Sequence, residues 1–158
     1  MIHYRPLLAK KLPKLTHHHV NAWKEFTVAA SVENIDKVID FVNAELERNG
    51  CPPELLNHID LAVEEIFVNI ANYAYTPTSG DATINITVGE DAVIRFEDSG
   101  KFFNPLEHPD PDLDKPLMER EIGGLGIVFV KKTMDKVDYR RIGNKNVLTI
   151  TKKFPVNC

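Results

Sequence analysis

An α+β fold of two layers, a mixed and mostly antiparallel sheet with helices on one face, is what this sequence predicts. Three observations carry the prediction. Two apolar stripes at helical spacing come early, two period-two hairpins come later, and a single further helical segment separates those hairpins. Strands that arrive as neighbouring hairpins pair antiparallel, whereas a doubly wound parallel sheet needs a helix after each strand. The sequence shows no internal repeat and no second domain.

Residues 1–23 read as an N-terminal leader carrying Arg5, Lys10, Lys11 and Lys14, and residues 24–158 as one domain. Lys24 to Ala30 reads as a strand, with Phe26 and Val28 on one face. Ser31 then looks like an N-cap, and Val32, Ile35, Val38, Ile39, Val42 and Leu46 recur at helical spacing until Asn49-Gly50 stops the helix. Pro52-Pro53 opens a second helix, where a missing N–H costs little. Its stripe is Leu55, Ile59, Ala62, Ile66, Ile70 and Tyr73, and it ends before Pro77. From Ala82 the period is two: Ile84, Ile86 and Val88 alternate with Thr83, Asn85 and Thr87, and Gly89-Glu90-Asp91 turns the chain into Ala92 to Glu97. The stretch 101–122 holds Pro105, Pro109, Pro111 and Pro116 among many acids, so it reads as a long loop of the kind that forms lids, with at most a short helix near Leu113 to Arg120. A helix over Leu125 to Met134 follows, then strands at Lys136 to Arg141 and Val147 to Lys152 joined through Gly143-Asn144.

Composition narrows the function. The chain has 158 residues, 43% of them apolar and 27% charged, as expected for one globular domain with a core. Its net charge of −4 gives no general attraction to nucleic acid or to an anionic membrane. No apolar run is long enough to span a bilayer, and the leader lacks the continuous apolar segment of a signal peptide, so a cytoplasmic location is the expectation. Cys51 and Cys158 suggest neither a disulfide framework nor a metal site, and the run His17-His18-His19 has no ligand partners nearby in sequence.

Three polar clusters carry chemistry. Glu65 and Asn69 are one turn apart on the second helix, beside its apolar stripe. An Asn amide oxygen can give Mg²⁺ one hard ligand, and a nearby Glu can take a proton from an attacking hydroxyl; a solvated helical pair is the plainer reading. Asp98 ends a strand, where its carboxylate can accept from the exocyclic amine of adenine, and Gly100 leaves room for a flat ligand to approach; Asp-Ser-Gly is also a strong turn tripeptide. Gly123, Gly124 and Gly126 can turn backbone N–H groups toward phosphate where the Leu125 helix begins, or serve as a hinge. They form neither a Walker sequence nor a Rossmann fingerprint.

The segments VEEIFVNIANYAY, FEDSGKFFNP and IGGLGIVFVKKTMDKVDYRR, in this order, resemble the N, G1 and G2 boxes of the GHKL (Bergerat-fold) ATPases, most of all the anti-sigma factor serine kinases. The resemblance spans Lys24 to Phe154. It implies that Glu65 is the general base, that Asn69 ligates Mg²⁺, that Asp98 reads adenine, and that Gly100 lies beneath the base. It also implies that Gly123, Gly124, Leu125 and Gly126 border the phosphates and that 101–122 is the ATP lid. Asn146 stands where the wider family has a Thr that assists adenine binding, and Tyr73 where many relatives have His. The activity implied is transfer of the ATP γ-phosphoryl group to a serine of a small anti-sigma factor antagonist protein, with a sigma factor as a second partner and a homodimer as the working form. A nucleotide-gated sequestering module without catalysis, and a detached sensor-kinase ATPase domain, are the alternatives. Glu65 favours the kinase, and the sequence around His17 to His19 does not support a phosphoacceptor histidine.

Overall fold

The computed structural model describes residues 22–107, 114 and 125–154. The elements are β1 (Lys24–Ala29), α1 (Ile35–Arg48), α2 (Pro53–Asn69), β2 (Asp81–Val88), β3 (Asp91–Asp98), α3 (Leu125–Thr133), β4 (Lys136–Ile142) and β5 (Lys145–Lys153). They follow the predicted order. The strands form one five-stranded sheet in the order β1-β2-β3-β5-β4. Every ladder among them is antiparallel, so the expected bias toward antiparallel pairing is complete.

One face of this sheet and the three helices enclose the core. Val38, Val42 and Leu46 of α1, Ile59, Val63, Ile66 and Phe67 of α2, and Val130 of α3 meet Ile84, Ile86, Ile94, Phe96 and Ile150 of the sheet. Each such side chain contributes roughly 1.5–3 kcal/mol on leaving water, which is what holds the two layers together. The strands are legible because their inward residues alternate with Thr, Asn and charged residues on the other face. There Trp23, just before β1, lies under the Arg95 guanidinium at 4.6 Å from the ring centroid.

The structure moves three boundaries. Val32 is 46% exposed because residues Val32–Asn34 form a 3-10 turn and the α-helix starts only at Ile35. Ser31 makes no side-chain cap there; the Asn34 amide instead donates to the Ala29 carbonyl at 2.9 Å, tying helix to strand. After Asn69 the helix widens into a π turn at Ile70–Ala74, which rotates the following positions, and Tyr73 leaves the apolar stripe to stand 61% exposed. Finally, β5 starts at Lys145, two residues before Val147, and this brings Asn146 into the ladder opposite both Asp98 and Arg141. Within 101–122, a 3-10 turn at Pro105–Glu107 is the one element among the described residues; the short helix expected near Leu113 to Arg120 falls outside them.

Candidate functional site: a cleft between α2, α3 and the sheet

The cleft opens where the end of α2 and the start of α3 stand over the ends of β3 and β5. It is a partly open cleft rather than a closed cavity. Its walls are mostly apolar, from Ile66, Ile70, Phe96, Ile127 and Leu148, with Asn69, Asp98 and Asn146 as polar groups. An apolar slot with a few fixed polar groups selects a flat heterocycle by its edge.

Asp98, the last residue of β3, is 7% exposed. Its Oδ1 accepts from the Gly100 backbone N–H at 2.9 Å and from Asn146 Nδ2 at 2.9 Å. Those two donors orient the carboxylate and compensate its burial. The Oδ2 atom takes no hydrogen bond from the described residues.

Gly100 is required by the fold itself. A Cβ there would lie 2.2 Å from the carbonyl oxygen of Ala74, the last residue of the π turn, and Lys101 donates its N–H to that same oxygen at 2.9 Å. The glycine therefore lets the segment after β3 close against α2. Tyr75 repeats the device: its ring covers Gly80, and its hydroxyl accepts from the Ser99 N–H at 2.8 Å and donates to the Asp81 carbonyl. Burial raises the Tyr75 pKa against the opposing Ser99 bond, and the charges of Asp98 and Asp81 raise it further, so the phenol stays neutral.

At the other end of the cleft, Asn69 Nδ2 donates to Glu65 Oε1 at 3.3 Å. The amide oxygen of Asn69 takes no hydrogen bond from the described residues. Glu65 lies directly against α3: a Cβ on Gly126 would stand 1.8 Å from its carboxyl carbon. The sequence pairs Glu65 with Asn69, and the structure adds Gly126 to that pair. Leu125 opens α3 beside it, while Gly123 and Gly124 fall outside the described residues.

Asn146 joins the Asp98 end of the cleft to the root of the 101–122 segment. Its Nδ2 also donates to the Lys101 carbonyl at 2.7 Å, and its Oδ1 accepts from Tyr139 Oη at 2.6 Å, Arg141 Nη1 at 3.0 Å and the Phe103 N–H at 3.3 Å. Tyr139 and Arg141 were not singled out by the sequence reading. Their signal is alternation: Val137, Tyr139 and Arg141 share one face of β4, and an arginine on the face that carries core residues is out of place unless it serves a polar site.

A single protein oxygen suits Mg²⁺, which keeps waters and takes phosphate oxygens; the free amide oxygen of Asn69 is of that kind. No group of three or more His, Cys, Asp or Glu that could cage a metal occurs among the described residues, and none of their helices is long and apolar enough to cross a membrane.

Comparison with known proteins identifies the fold and the family. The chain is 27% identical over 96 residues to the serine/threonine-protein kinase BtrW of Bordetella bronchiseptica, a match covering 59% of this chain and 67% of that protein. The fold is similar to that of the RsbU and RsbW domains of Rv1364c from Mycobacterium tuberculosis, with a TM-score of 0.60 at 13% identity. That alignment covers 84% of this chain and 32% of the other, so the chain spans about a third of that structure. The model of the histidine kinase-like ATPase domain matches residues 28–152. The chain therefore belongs to the histidine kinase-like ATPase family, the GHKL type that its boxes resemble, and carries an ATP-binding domain of that family.

Proposed function

We propose that this protein is an ATP-dependent serine kinase that phosphorylates a small antagonist protein and switches its partner binding by doing so, in the manner of an anti-sigma regulator. One observation carries this reading above all: a buried carboxylate with one oxygen unengaged among the described residues lines the cleft together with Asn69, whose partner Glu65 stands against Gly126. In this reading Asp98 Oδ2 accepts from the adenine amine, Asn69 Oδ1 holds Mg²⁺, and the start of α3 faces the phosphates. Bound Mg²⁺ would neutralise charge on the phosphate oxygens during transfer.

Glu65 is the acceptor for the proton of the attacking serine hydroxyl. As the serine oxygen bonds to the γ-phosphorus, the bond from that phosphorus to the bridging oxygen breaks and ADP leaves with its electron pair; the serine proton passes to Glu65. The similarity to BtrW, named a serine/threonine-protein kinase, supports a hydroxyl acceptor, and the RsbW domain in the fold neighbour supports an antagonist protein as its source. A sigma factor as the sequestered partner and a homodimer as the working form belong to the same proposal.

The test is transfer from ATP labelled at its terminal phosphate into the proteins of a native cell extract, with wild type and Glu65→Gln compared. Wild type labels one small protein on serine, and the variant labels it about 10²- to 10⁴-fold more slowly while still binding ATP. ATP binding without any labelled protein would replace the kinase by a nucleotide-gated sequestering module.

A further inference from the structure

The amide of Asn146 has a forced orientation. Arg141 Nη1 and the Phe103 backbone N–H can only donate, so the atom they share, at 3.0 and 3.3 Å, is the oxygen. The Lys101 carbonyl can only accept, so the atom 2.7 Å from it is the nitrogen. Tyr139 donates to the oxygen as well, at 2.6 Å. Oδ1 accepts three bonds and Nδ2 gives both of its hydrogens, to Lys101 and to Asp98, so Asn146 has no donor left for a ligand. Whatever it does for a nucleotide it does through Asp98.

We propose that Arg141 and Tyr139 are positioning residues for base selection: by holding the Asn146 amide with its NH₂ toward Asp98, they keep Asp98 a hydrogen-bond acceptor, so that the cleft takes a 6-aminopurine nucleotide and rejects a 6-oxopurine one. This rests on the reading of the cleft as a nucleotide site with Asp98 at the base. Asp98 Oδ1 is occupied by Asn146 and Gly100, and Oδ2 is the oxygen left for a base. An exocyclic amine donates to it, while a 6-oxo group sets lone pair against lone pair. Reversing the amide would set its oxygen against Asp98 Oδ1, lone pair against lone pair, and push the carboxylate, Oδ2 included, out of the position in which it meets the base. Among the described donors to Asn146, Arg141 is the one charged group, and the half-buried, neutral Tyr139 hydroxyl makes the shortest bond.

Arg141 also donates to the Gly100 carbonyl at 3.1 Å, so the test has to separate base selection from loop support. Equilibrium binding of ATP and of inosine triphosphate, which differ in the 6-amino against the 6-oxo group and in the N1 proton that goes with the latter, is measured for wild type, Tyr139→Phe, Arg141→Met, Arg141→Lys and the Tyr139→Phe/Arg141→Met pair. The pair is expected to lower the ATP preference about tenfold, chiefly by weaker ATP binding, as fits the loss of a charged hydrogen bond. Tyr139→Phe, which keeps the ring and its packing, shifts the ratio in the same direction, and Arg141→Lys retains most of it. An unchanged ratio, with both nucleotides weakened in parallel, would reduce Arg141 and Tyr139 to loop supports and overturn the proposal. Wild-type protein that binds ATP and inosine triphosphate equally would overturn it by removing Asp98 as base reader, and wild type that binds neither would overturn the nucleotide reading of the cleft with it.

Discussion

Gly126 shows how much of the site depends on one missing carbon. Its hydrogen faces the Glu65 carboxyl group, and a methyl in that place would stand 1.8 Å from the carboxyl carbon, a separation no packing tolerates. Gly126→Ala is therefore expected to drive Glu65 out of position and to slow phosphoryl transfer about 10²-fold or more, close to the loss of the base itself. Single-turnover transfer at saturating ATP measures this; wild-type rates in the variant would mean that Glu65 works from another place. Gly100→Ala has a different consequence, because its new methyl meets the Ala74 backbone at 2.2 Å, where nothing flexible can yield. Overpacking of that kind costs about 1–3 kcal/mol, so the urea midpoint should fall even without nucleotide. The sequence marked both glycines, and for Gly100 it suggested room for a flat ligand; the contact with Ala74 adds a demand of the fold that a local motif does not show, because its partner lies on another element. Asn146 was likewise visible only through the resemblance, as a residue in the place of a Thr, just before the expected strand. Its five bonds depend on partners from two other segments and from the neighbouring strand, which periodicity cannot supply.

At the scale of elements, helix and strand identities were legible because apolar spacing is a local property, and Asn49-Gly50 and Gly143-Asn144 marked ends where Gly50 and Gly143 take positive φ. The 3-10 start of α1 and the π turn after α2 were not legible, because both follow from how the helices meet the sheet. The α1–α2 contact holds a polar flaw with a testable repair. Asn43 Nδ2 donates to Asp60 Oδ2 at 3.3 Å, and the remaining oxygens, Asn43 Oδ1 and Asp60 Oδ1, are both shielded from solvent without a partner. Burial pushes the Asp60 pKa up, the Asn43 bond opposes this, and the charges of Glu47 and Glu64 add to the rise. A carboxyl whose pKa is higher in the folded state binds its proton more tightly there. Its contribution is complete below the unfolded-state pKa and is lost as pH rises through the folded-state value. Asp60→Asn removes that loss and gives Asn43 Oδ1 a donor, so the variant should be more stable by about 1 kcal/mol at neutral pH. The gain should shrink as the pH is lowered from neutral toward about 4, because the native carboxyl takes up its proton as pH falls through its raised folded-state pKa. Urea unfolding at the two pH values checks it; a variant less stable than wild type at neutral pH would show that the carboxylate is better satisfied than its surroundings indicate.

For the whole molecule, hairpin spacing was enough to predict two layers with an antiparallel sheet, whereas the position of the last hairpin was not. Its second strand, β5, takes the place beside β3 and leaves β4 at the edge, a choice made by long-range packing under α3. That choice creates the cleft, for it sets Asn146 across from Asp98. Because the cleft walls come from α2, α3, β3 and β5, which also carry much of the core, unfolding of those elements would dismantle the site. A nucleotide that binds only the folded form should then stabilise the domain as a unit. ATP with Mg²⁺ at a hundred times its dissociation constant is expected to add about 2.7 kcal/mol to the free energy of unfolding. Asp98→Ala, which weakens binding by roughly 1.5–3 kcal/mol, should lose most of that gain at the same ATP concentration. Chemical unfolding followed by backbone and side-chain signals measures both effects. Coincident shifts of the two signals support one cooperative unit built around the cleft, whereas protection confined to amides near α2 and α3, with an unchanged midpoint, would mean that these helices open and close over the sheet on their own.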